Sequence, residues 1–422
     1  MTVVALDDTD SRERGMCTTY AAARVADRLR ERGGRVDRLL LVRCNPAVPH
    51  KTRGNAALAV HTDAAPPTAM AVARDVVDGA AATADPETNP GVVVAPGDPA
   101  AVPDAVRTFA LAAVRDHLTV ADAERRIDRA GYDAAAWGNG RGRIGALAAV
   151  GAWAALDEWT YEHIAYRRRD RWGTARAVDA ESVRAAASDA YPRAWDTVDR
   201  ATGDVVCVPH TPGPVLYGIR GDDPAAVRAV ADRVESEPVA GSALFVTNQG
   251  TDAHLRPAPL GAVRDGRAYR VTGRVLAAPE THPGGHVFAT LADGDRRLRV
   301  AAFEPTKRFR DDVRALRVGD RVTACGEVAR GTLKLEKFAV RSLVRTEPAV
   351  PDCPSCGTRM ESAGADQGYR CRDCAETAPG RVTRPVERAI EPGWYEVPPV
   401  ARRHVAKPLV RGGFDAPVHP AR

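Results

Sequence analysis

The chain has 422 residues, a length that corresponds to roughly three domains of about 150 residues each. Its 60 basic and 55 acidic residues nearly cancel, and its 44% hydrophobic and 27% charged content excludes a disordered or fibrous protein. The apolar run at residues 144–156 is too short to span a bilayer, so we expect the protein to have no membrane partner. Eight cysteines in so long a chain argue against a disulfide scaffold, so we expect the protein to be located in a reducing cytoplasm.

Residues 1–157 predict one α/β unit. Short apolar runs indicate strands at residues 3–6, 39–42, 56–60 and 92–94. Helical spacing of apolar residues indicates helices at about residues 17–32, 68–78, 101–115 and 143–157.

Residues 158–256 predict a different order of elements. Strands are expected at residues 161–167, 195–198, 215–219 and 243–247, and helices at residues 181–189 and 224–234. The order βαββαβ is that of a ferredoxin-like fold.

In residues 262–345 the apolar pattern changes to strict alternation. It predicts five strands, at residues 270–276, 286–291, 297–303, 321–328 and 332–340. A basic helical segment at residues 307–316 lies between the third and the fourth strand. Five strands with a helix after the third is the order of an OB-fold β-barrel.

Four of the cysteines form two Cys-x-x-Cys pairs, Cys353 with Cys356 and Cys371 with Cys374, separated by fourteen residues. Four thiolates at this spacing suit the tetrahedral coordination of Zn²⁺, and a redox dithiol pair is the alternative. Because four thiolates leave no open coordination position, we expect a structural zinc in a module at residues 350–378.

An acidic loop, Asp7-Asp8-Thr9-Asp10, directly follows the first predicted strand. Crowded carboxylates repel each other unless a cation joins them, and proteins usually bind Mg²⁺ through one or two carboxylates together with substrate phosphates. Asp is also common in ordinary solvated turns, so the loop alone supports both interpretations. Thr18 or Thr19, near the start of the next helix, is expected to cap that helix or to face a phosphate.

Only five of the 60 basic residues are lysines, and Lys51 is the only one before residue 307. It lies in the loop RCNPAVPHKTRGN, where two prolines favour an extended backbone and Lys51 and Arg53 flank Thr52. In an arginine-rich chain, a lysine indicates a site that needs a compact point charge, as phosphate-binding lysines supply. The alternative is a chance codon on a surface loop. We predict that Lys51, Thr52 and Arg53 bind a triphosphate.

A glycine-rich loop, Gly138-Asn139-Gly140-Arg141-Gly142, leads into the apolar helix predicted from residue 143. Glycines before a helix let backbone N–H groups approach an anion, and the helix dipole favours negative charge there. The loop lacks the spacing and the terminal lysine of a Walker A motif. Together with the acidic loop and Lys51, it predicts a nucleotide triphosphate site of non-standard type.

Residues 379–422 predict a proline-stiffened basic tail that binds nucleic acid through Arg402, Arg403, Lys407 and Arg411. An OB-fold, a zinc site and such a tail together are typical of nucleic-acid-binding proteins. Aromatic residues of the barrel strands could stack on bases only where they are exposed; the candidates are Tyr269, Phe288, Phe303 and Phe338.

Seven stretches of the chain, in order, resemble the archaeal isoleucine-tRNA agmatinylcytidine synthetase family. They are DDTDSRERGMCTTY, RCNPAVPHKTRGNAA, GNGRGRIGALAAVG, TYEHIAYR, TPGPVLYGIRG, FVTNQGTDAHL and PPVARRHVAKPLVR. The resemblance implies a multidomain α+β protein of four modules. These are a kinase-like domain (1–157), a ferredoxin-like domain (158–256), an OB-fold (262–345) and a zinc ribbon (350–378).

The resemblance further implies an enzyme that ligates agmatine to C2 of the wobble cytidine in a CAU-anticodon isoleucine tRNA, so that AUA is read. It implies that ATP is split to AMP and pyrophosphate. It also implies that phosphorylation of the C2 oxygen creates a leaving group before the amine attacks. A cytidine must leave its stack to expose C2, which costs little in a single-stranded anticodon.

Site roles follow from the same resemblance. Asp7, Asp8 and Asp10 are expected to be catalytic and to hold Mg²⁺, and Thr18 matches the family's autophosphorylated threonine. Agmatine is expected between the first two domains, at Asn248, Gln249 and Asp252. The three carboxylates of the acidic loop could instead bind the cationic agmatine directly, and that alternative stays open.

Two other functions compete with this one. The first is a non-enzymatic single-stranded RNA- or DNA-binding protein of OB-fold and zinc-ribbon type, which leaves the acidic loop and Lys51 without a role. The second is an ATP-dependent RNA ligase of another specificity.

Overall fold

The computed structural model describes residues 1–13, 15–51 and 54–420. The first region alternates short strands and helices. Its elements are β1 (Thr2–Asp7), α1 (Thr18–Glu31), β2 (Val36–Arg43), β3 (Ala56–Thr62), α2 (Pro66–Ala80), β4 (Gly91–Pro96), α3 (Asp104–Arg115), α4 (Val120–Ala130), β5 (Asp133–Ala136) and α5 (Gly142–Ala155).

β1 lies in the middle of this region's sheet, antiparallel to both β3 and β4. Its side chains alternate between two cores. Val4 and Leu6 pack with α1 and α2 on one face, and Val3 and Ala5 pack with α3 and α5 on the other. Because β1 is buried on both faces, its carboxyl end delivers the acidic loop to a fixed position.

The second region continues the same sheet. Its elements are β6 (Thr160–Arg167), α6 (Ala180–Ala190), β7 (Ala194–Trp195), β8 (Val198–Asp199), β9 (Asp204–Val205), β10 (Val215–Gly221), α7 (Pro224–Arg233) and β11 (Val239–Thr247). The sheet order is β5-β4-β1-β3-β2-β11-β6-β10-β7, and parallel pairing of β11 with β2 joins the two regions.

The single strand predicted at residues 195–198 is wrong. The backbone at Asp196 is left-handed, with φ +54°, and interrupts the strand. β7 therefore pairs with β10, while β8 forms a separate hairpin with β9.

The third region is a closed barrel. It contains β12 (Leu255–Pro257), β13 (Arg267–Val275), β14 (Glu280–Thr281), β15 (Val287–Asp293), β16 (Arg296–Ala302), α8 (Phe309–Arg314), β17 (Arg321–Ala329) and β18 (Thr332–Ser342). The ring closes because β13 pairs with β15 and β17, β18 pairs with β16 and β17, and β15 pairs with β16. The predicted five-stranded OB-fold, with its helix after the third strand, is confirmed.

The remaining strands are short. They are β19 (Thr346–Ala349), β20 (Glu361–Ser362), β21 (Tyr369–Arg370), β22 (Thr377–Ala378), β23 (Val382–Pro385), β24 (Gly393–Glu396) and β25 (Val418–His419). β24 pairs with β18 of the barrel, and β25 pairs with β24. The segment predicted as a tail is thus folded onto the barrel. Among the described residues, no helix has the length and apolar character needed to cross a membrane.

A cleft between the first two regions as the candidate active site

A cleft of about 530 Å³ opens where the first region meets the second. The acidic loop, the start of α1 and the loop after β2 form one wall. β6, β10 and the loop at residues 206–215 form the other. Several residues predicted from separate motifs line it together: Asp7, Asp8, Asp10, Thr18, Lys51 and Arg141. Two predicted ATP-binding residues, Thr52 and Arg53, lie outside the described residues.

Asp7 ends β1 with its carboxylate pressed against α5. A Cβ at position 145 would overlap that carboxylate, so the close packing requires Gly145. Burial raises the pKa of Asp7 well above its ordinary value, and the neighbouring Asp8 charge raises it further. A cation that binds beside such a buried carboxyl lowers its pKa and so favours the ionised form.

Asp8 has a left-handed backbone, φ +60°, which turns its side chain toward the glycine-rich loop. Its Oδ2 accepts hydrogen bonds from the Asn89 N–H (3.2 Å) and from Arg141 Nη2 (3.1 Å). Burial raises the pKa of Asp8 to about 6, although the Arg141 charge opposes this. Asp7 and Asp8 thus form an acidic pair that a divalent cation would stabilise.

The glycine-rich loop packs so closely against the acidic loop that a residue with a Cβ would not fit at position 142. A Cβ at Gly142 would meet the backbone of β4 and of Asp7. The amide N–H groups of this loop are already bonded, that of Asn139 to Asn89 Oδ1 and that of Gly142 to the Asn89 carbonyl, both at 3.0 Å. These two amides are therefore engaged within the protein, the predicted role of the loop in binding ATP stays a prediction, and the loop lines the cleft through Arg141.

Thr18 is the first residue of α1, and its hydroxyl faces the acidic loop. Thr9 Oγ1 donates a hydrogen bond to Thr18 Oγ1 at 3.1 Å. Both threonines are buried, and Thr18 lines the cleft. This places a hydroxyl beside the carboxylates at the positive end of a helix, which favours an anion there.

Lys51 lies on the side of the cleft that faces the barrel. Arg12 Nη2 donates to the Lys51 carbonyl at 3.0 Å and so ties this loop to the acidic loop. Burial lowers the pKa of the Lys51 ammonium group, and Glu327 of β17 partly offsets this. The predicted cation therefore lines the same cleft as the acidic loop.

The polar residues of the cleft that were absent from the predicted site include Arg43, Glu162, Arg220 and His404. Glu162, only 4% exposed, joins two of them. Its Oε1 accepts from Arg220 Nε at 3.2 Å, and its Oε2 lies 3.7 Å from Arg43 Nη2. The signal in the sequence was a charged residue within or next to a predicted strand, Glu162 in TYEHIAYR and Arg220 in LYGIRG.

Asn248, Gln249 and Asp252, the predicted agmatine residues, are not among the described residues that line the cleft. They lie behind its wall. Asn248 Oδ1 accepts from the Arg43 N–H (2.7 Å), and Gln249 Oε1 accepts from Arg43 Nε (2.9 Å). Asp252 accepts from the buried Lys337 ammonium at 2.8 and 2.9 Å. Asn248 and Gln249 orient Arg43, while Asp252 joins this loop to the barrel.

The four cations predicted to bind tRNA lie within residues 399–411, a segment that we call the C-terminal strap. Each pairs with carboxylates elsewhere in the chain: Arg402 with Asp196 and Glu396 (2.7 and 2.8 Å), Arg403 with Glu336 and Glu327 (2.6 and 2.8 Å), Lys407 with Glu158 (3.1 Å), and Arg411 with Asp222 and Glu158 (2.6 and 2.9 Å). These pairs hold the strap across the second region and the barrel.

The barrel presents an aromatic and basic face on β15 and β16, its second and third strands. The Arg299 guanidinium lies 3.9 Å from the centroid of the half-buried Phe288 ring, and Phe303 packs edge-on at 6.1 Å. Tyr269 and Phe338, by contrast, are buried in the barrel core. Only Phe288 and Phe303 of the four candidate aromatics remain available for base stacking.

The four cysteine sulfurs Cys353, Cys356, Cys371 and Cys374 lie within 4.8 Å of one another. Backbone hydrogen bonds close each turn, from the Gly357 N–H to the Cys353 carbonyl and from the Cys371 N–H to the Glu376 carbonyl, both 2.8 Å. The arrangement fits tetrahedral Zn²⁺ and confirms the predicted four-thiolate site.

In the described part of the chain, the cysteine cluster is the one group of three or more such ligands brought this close together. The acidic loop therefore does not form a three-carboxylate metal site by itself. Magnesium sites completed by substrate phosphates generally need only one or two protein carboxylates.

Four family models match the chain in succession. They are the TiaS TCKD domain (residues 3–139), the TiaS FLD domain (140–254), an OB-fold nucleic acid binding domain (269–337) and the TiaS C-terminal zinc ribbon domain (350–390). Together they cover most of its length.

The chain is also similar to curated proteins and solved structures over its whole length. It is 53% identical, over 100% of both chains, to the isoleucine-tRNA 2-agmatinylcytidine synthetase TiaS of Haloquadratum walsbyi. The crystal structure of a TiaS–tRNA–ATP complex is 41% identical with a TM-score of 0.90, covering 100% of this chain and 99% of that one. A TiaS–tRNA–AMPCPP–agmatine complex is 39% identical with a TM-score of 0.87, with the same coverage.

Proposed function

This chain belongs to the isoleucine-tRNA 2-agmatinylcytidine synthetase family, and we propose that its cleft ligates agmatine to C2 of the wobble cytidine of CAU-anticodon isoleucine tRNA in an ATP-dependent reaction. One observation carries the proposal. The acidic loop, Lys51 and Arg141 come from three separate motifs and line the same cleft. A metal-binding loop facing basic side chains is the arrangement that phosphoryl transfer requires.

The proposed reaction has two steps. A phosphoryl group passes from ATP to the C2 oxygen of cytidine and leaves ADP. Hydrolysis of the remaining phosphoanhydride bond gives the expected AMP, so this route releases two phosphates in place of pyrophosphate. The primary amine of agmatine then attacks C2, the C2–O bond breaks, the oxygen leaves as phosphate, and the amine loses a proton. Catalysis of phosphoryl transfer rests on positioning and charge neutralisation, which Lys51, Arg43 and Arg220 can supply to the phosphates.

Asp7 and Asp8 would hold Mg²⁺, with Asp10 near by. Burial raises the pKa of both residues, so a cation is the partner that keeps the pair ionised at neutral pH. Bound there, Mg²⁺ supplies positive charge to the phosphate oxygens. Arg141 fixes the Asp8 carboxylate for this role.

The same cleft would hold ATP and agmatine side by side. We assign the binding of the phosphates to Lys51, to Thr52 and Arg53 of the same loop, and to Arg141. Thr18 supplies the hydroxyl that receives a phosphoryl group. For agmatine, the carboxylates of the cleft are the anionic groups within its walls. Asn248, Gln249 and Asp252 act behind the wall, by holding Arg43 and the loop next to it.

The arrangement of strands supports the names of the two catalytic modules. The strand order β11-β6-β10-β7 with two helices agrees with a ferredoxin-like domain, and the phosphate-binding features of the first region agree with a kinase-like one. We place tRNA on the aromatic and basic face of the barrel, because each strap cation already has carboxylate partners. Four zinc thiolates need a reducing compartment, which supports the cytoplasm.

The test is to incubate the protein with ATP, agmatine and the CAU transcript and to measure the mass of the wobble nucleoside. We expect a gain of one agmatine less one water, and none on a transcript whose wobble base is guanosine. Asp8→Ala should abolish the gain and tRNA-dependent ATP turnover. Asp312→Ala is the matched control, because burial raises the pKa of Asp312 to about 6 as well, but it lies in the barrel helix.

Binding of the transcript without ATP turnover or mass gain would instead identify a non-enzymatic RNA-binding protein. A mass gain on another nucleotide would identify an RNA ligase of different specificity.

A further inference from the structure

The C-terminal strap carries one side chain into the cleft. His404 lies beside Arg402 and Arg403, whose ion pairs fasten the strap, and its imidazole lines the cleft. A Cβ placed on Gly54 would be 3.6 Å from His404 Nε2 and Cδ2, so the ring packs against the end of the Lys51 loop. Segments near the two ends of the chain thus share one wall.

The His404 ring has no hydrogen-bond partner within residues 1–13, 15–51 and 54–420, whereas Arg402 and Arg403 beside it donate to Glu396, Glu336 and Glu327. The half-buried ring therefore offers its N–H and its lone pair to whatever enters the cleft.

Three cationic side chains act electrostatically on the ring: Arg43 at the end of β2, Arg220 on β10 and Arg403 of the strap. Glu162 pairs with both Arg43 and Arg220, so these two arginines keep a surplus positive charge, and Arg403 pairs with Glu336. Burial, followed by these charges, holds the pKa of His404 well below its ordinary value. The ring is consequently neutral at physiological pH and offers a single N–H donor.

We propose that His404 is a substrate-contacting residue that donates a hydrogen bond to a phosphate oxygen in the cleft. The inference rests on the proposed function and adds a residue to it. Arg43 and Arg220 near the ring attract an anion and repel the cationic ends of agmatine. The N–H of the ring also needs a hydrogen-bond acceptor, whereas the ends of agmatine are hydrogen-bond donors. A phosphate oxygen satisfies both conditions. The oxygen can belong to ATP or to the tRNA backbone.

The strap explains why a residue so late in the chain occupies the site. Its pairs with Asp196, Glu158 and Asp222 fix it to the second region and to the linker before β6, and its pairs with Glu327 and Glu336 fix it to the barrel. His404 is therefore correctly placed only when the second region and the barrel are docked together.

Two variants separate hydrogen bonding from packing. His404→Gln keeps an N–H donor, and His404→Phe keeps a ring without one. We expect the Gln variant to stay within about fivefold of the parent protein and the Phe variant to lose about 10- to 100-fold in kcat/KM, the effect of one hydrogen bond to a charged group. A change in KM for ATP identifies ATP as the source of the oxygen, and a change in KM for tRNA identifies the backbone. His419→Gln is the control, since that ring stacks on Tyr395 outside the cleft.

The proposal also fixes the pH dependence. The parent and Gln profiles should have the same shape between about pH 6 and 8, because the ring does not titrate there. An acidic limb near pH 6.5 in the parent alone would make His404 a proton acceptor and overturn the proposal.

Full activity of the Phe variant, or a rise in KM for agmatine alone, would overturn it as well. So would equal losses in both variants at unchanged melting temperature. If Phe lowers the melting temperature, His404→Met, which is smaller and also lacks a donor, replaces it in the comparison. A parent protein that makes no agmatine-modified tRNA would instead refute the proposed function itself.

Discussion

Replacing Arg402 by Met removes the cation that two buried carboxylates share. Its Nε lies 2.7 Å from Asp196 Oδ2 and its Nη1 lies 2.8 Å from Glu396 Oε2, with side chains only 8%, 5% and 3% exposed. Loss of one partner from a buried ion pair costs about 3–5 kcal/mol, because the remaining charge stays desolvated and unpaired. We expect Arg402→Met to weaken the docking of the strap by about that amount.

The loss should depend on pH. Burial raises the pKa of Asp196 even with Arg402 present, and removal of the cation raises it further. The folded variant then binds more protons than the unfolded chain, so its stability relative to the parent falls as the pH rises. The deficit should therefore be larger at about pH 8 than at about pH 5.

Hydrogen exchange of the strap peptide measures this docking directly. Adding Asp196→Asn to Arg402→Met should recover part of the loss, because one unpaired charge is removed. Lys307→Ala is the control; its pair with Glu304 is 56% and 43% exposed and should contribute less than about 0.5 kcal/mol. A change below about 1 kcal/mol in Arg402→Met, together with weaker tRNA binding, would refute the structural role and restore the tRNA contact.

Three further outcomes are expected. Phe288→Ala should weaken tRNA binding by about 1–3 kcal/mol through loss of base stacking, with KM for ATP unchanged; equal binding would remove the barrel face from the interface. Chelation of zinc should unfold residues 350–378, as loss of amide protection there would show, and retained protection would contradict a structural metal. Asp8→Asn should be inactive yet stabilise the metal-free protein at neutral pH by up to about 3 kcal/mol, since burial raises the pKa of Asp8 to about 6 and its charged form is the costly one. Denaturant unfolding should show this gain vanishing below about pH 4, where the carboxyl becomes protonated in both the folded and the unfolded chain, and a gain independent of pH would contradict the cause.

The elements with strong apolar patterns could be predicted closely. The barrel strands alternate so regularly that all five, and the helix between the third and the fourth, agree with the prediction to within a few residues. Helix α4 and strand β5 could not be predicted, because only Ala123 and Ile127 of α4 are buried and its sequence, VADAERRIDRA, is largely polar. The break at Asp196 also has no local signal; it brings that carboxylate to Arg402, more than 200 residues away.

The candidate site shows the same limit. Some motifs, such as the acidic loop and the cysteine pairs, carry several carboxylate or thiol side chains on one short loop. The local sequence alone was enough to indicate the chemistry of these motifs. Glu162, Arg220 and His404 are single residues on separate elements, and only the fold brings them to one cleft. The strap cations resembled an RNA-binding tail because the carboxylates that pair with them are dispersed between residues 158 and 396.

The fate of the C2 oxygen tests the central claim most directly. A CAU transcript carrying ¹⁸O at C2 of the wobble cytidine is incubated with the protein, ATP and agmatine, and the products are analysed by mass spectrometry. Transfer of a phosphoryl group to that oxygen predicts ¹⁸O in inorganic phosphate, in equal amount to the agmatine incorporated. Label recovered in AMP would mean that the nucleotidyl group is transferred, and label in water would mean that the oxygen is never phosphorylated; either result would contradict the account.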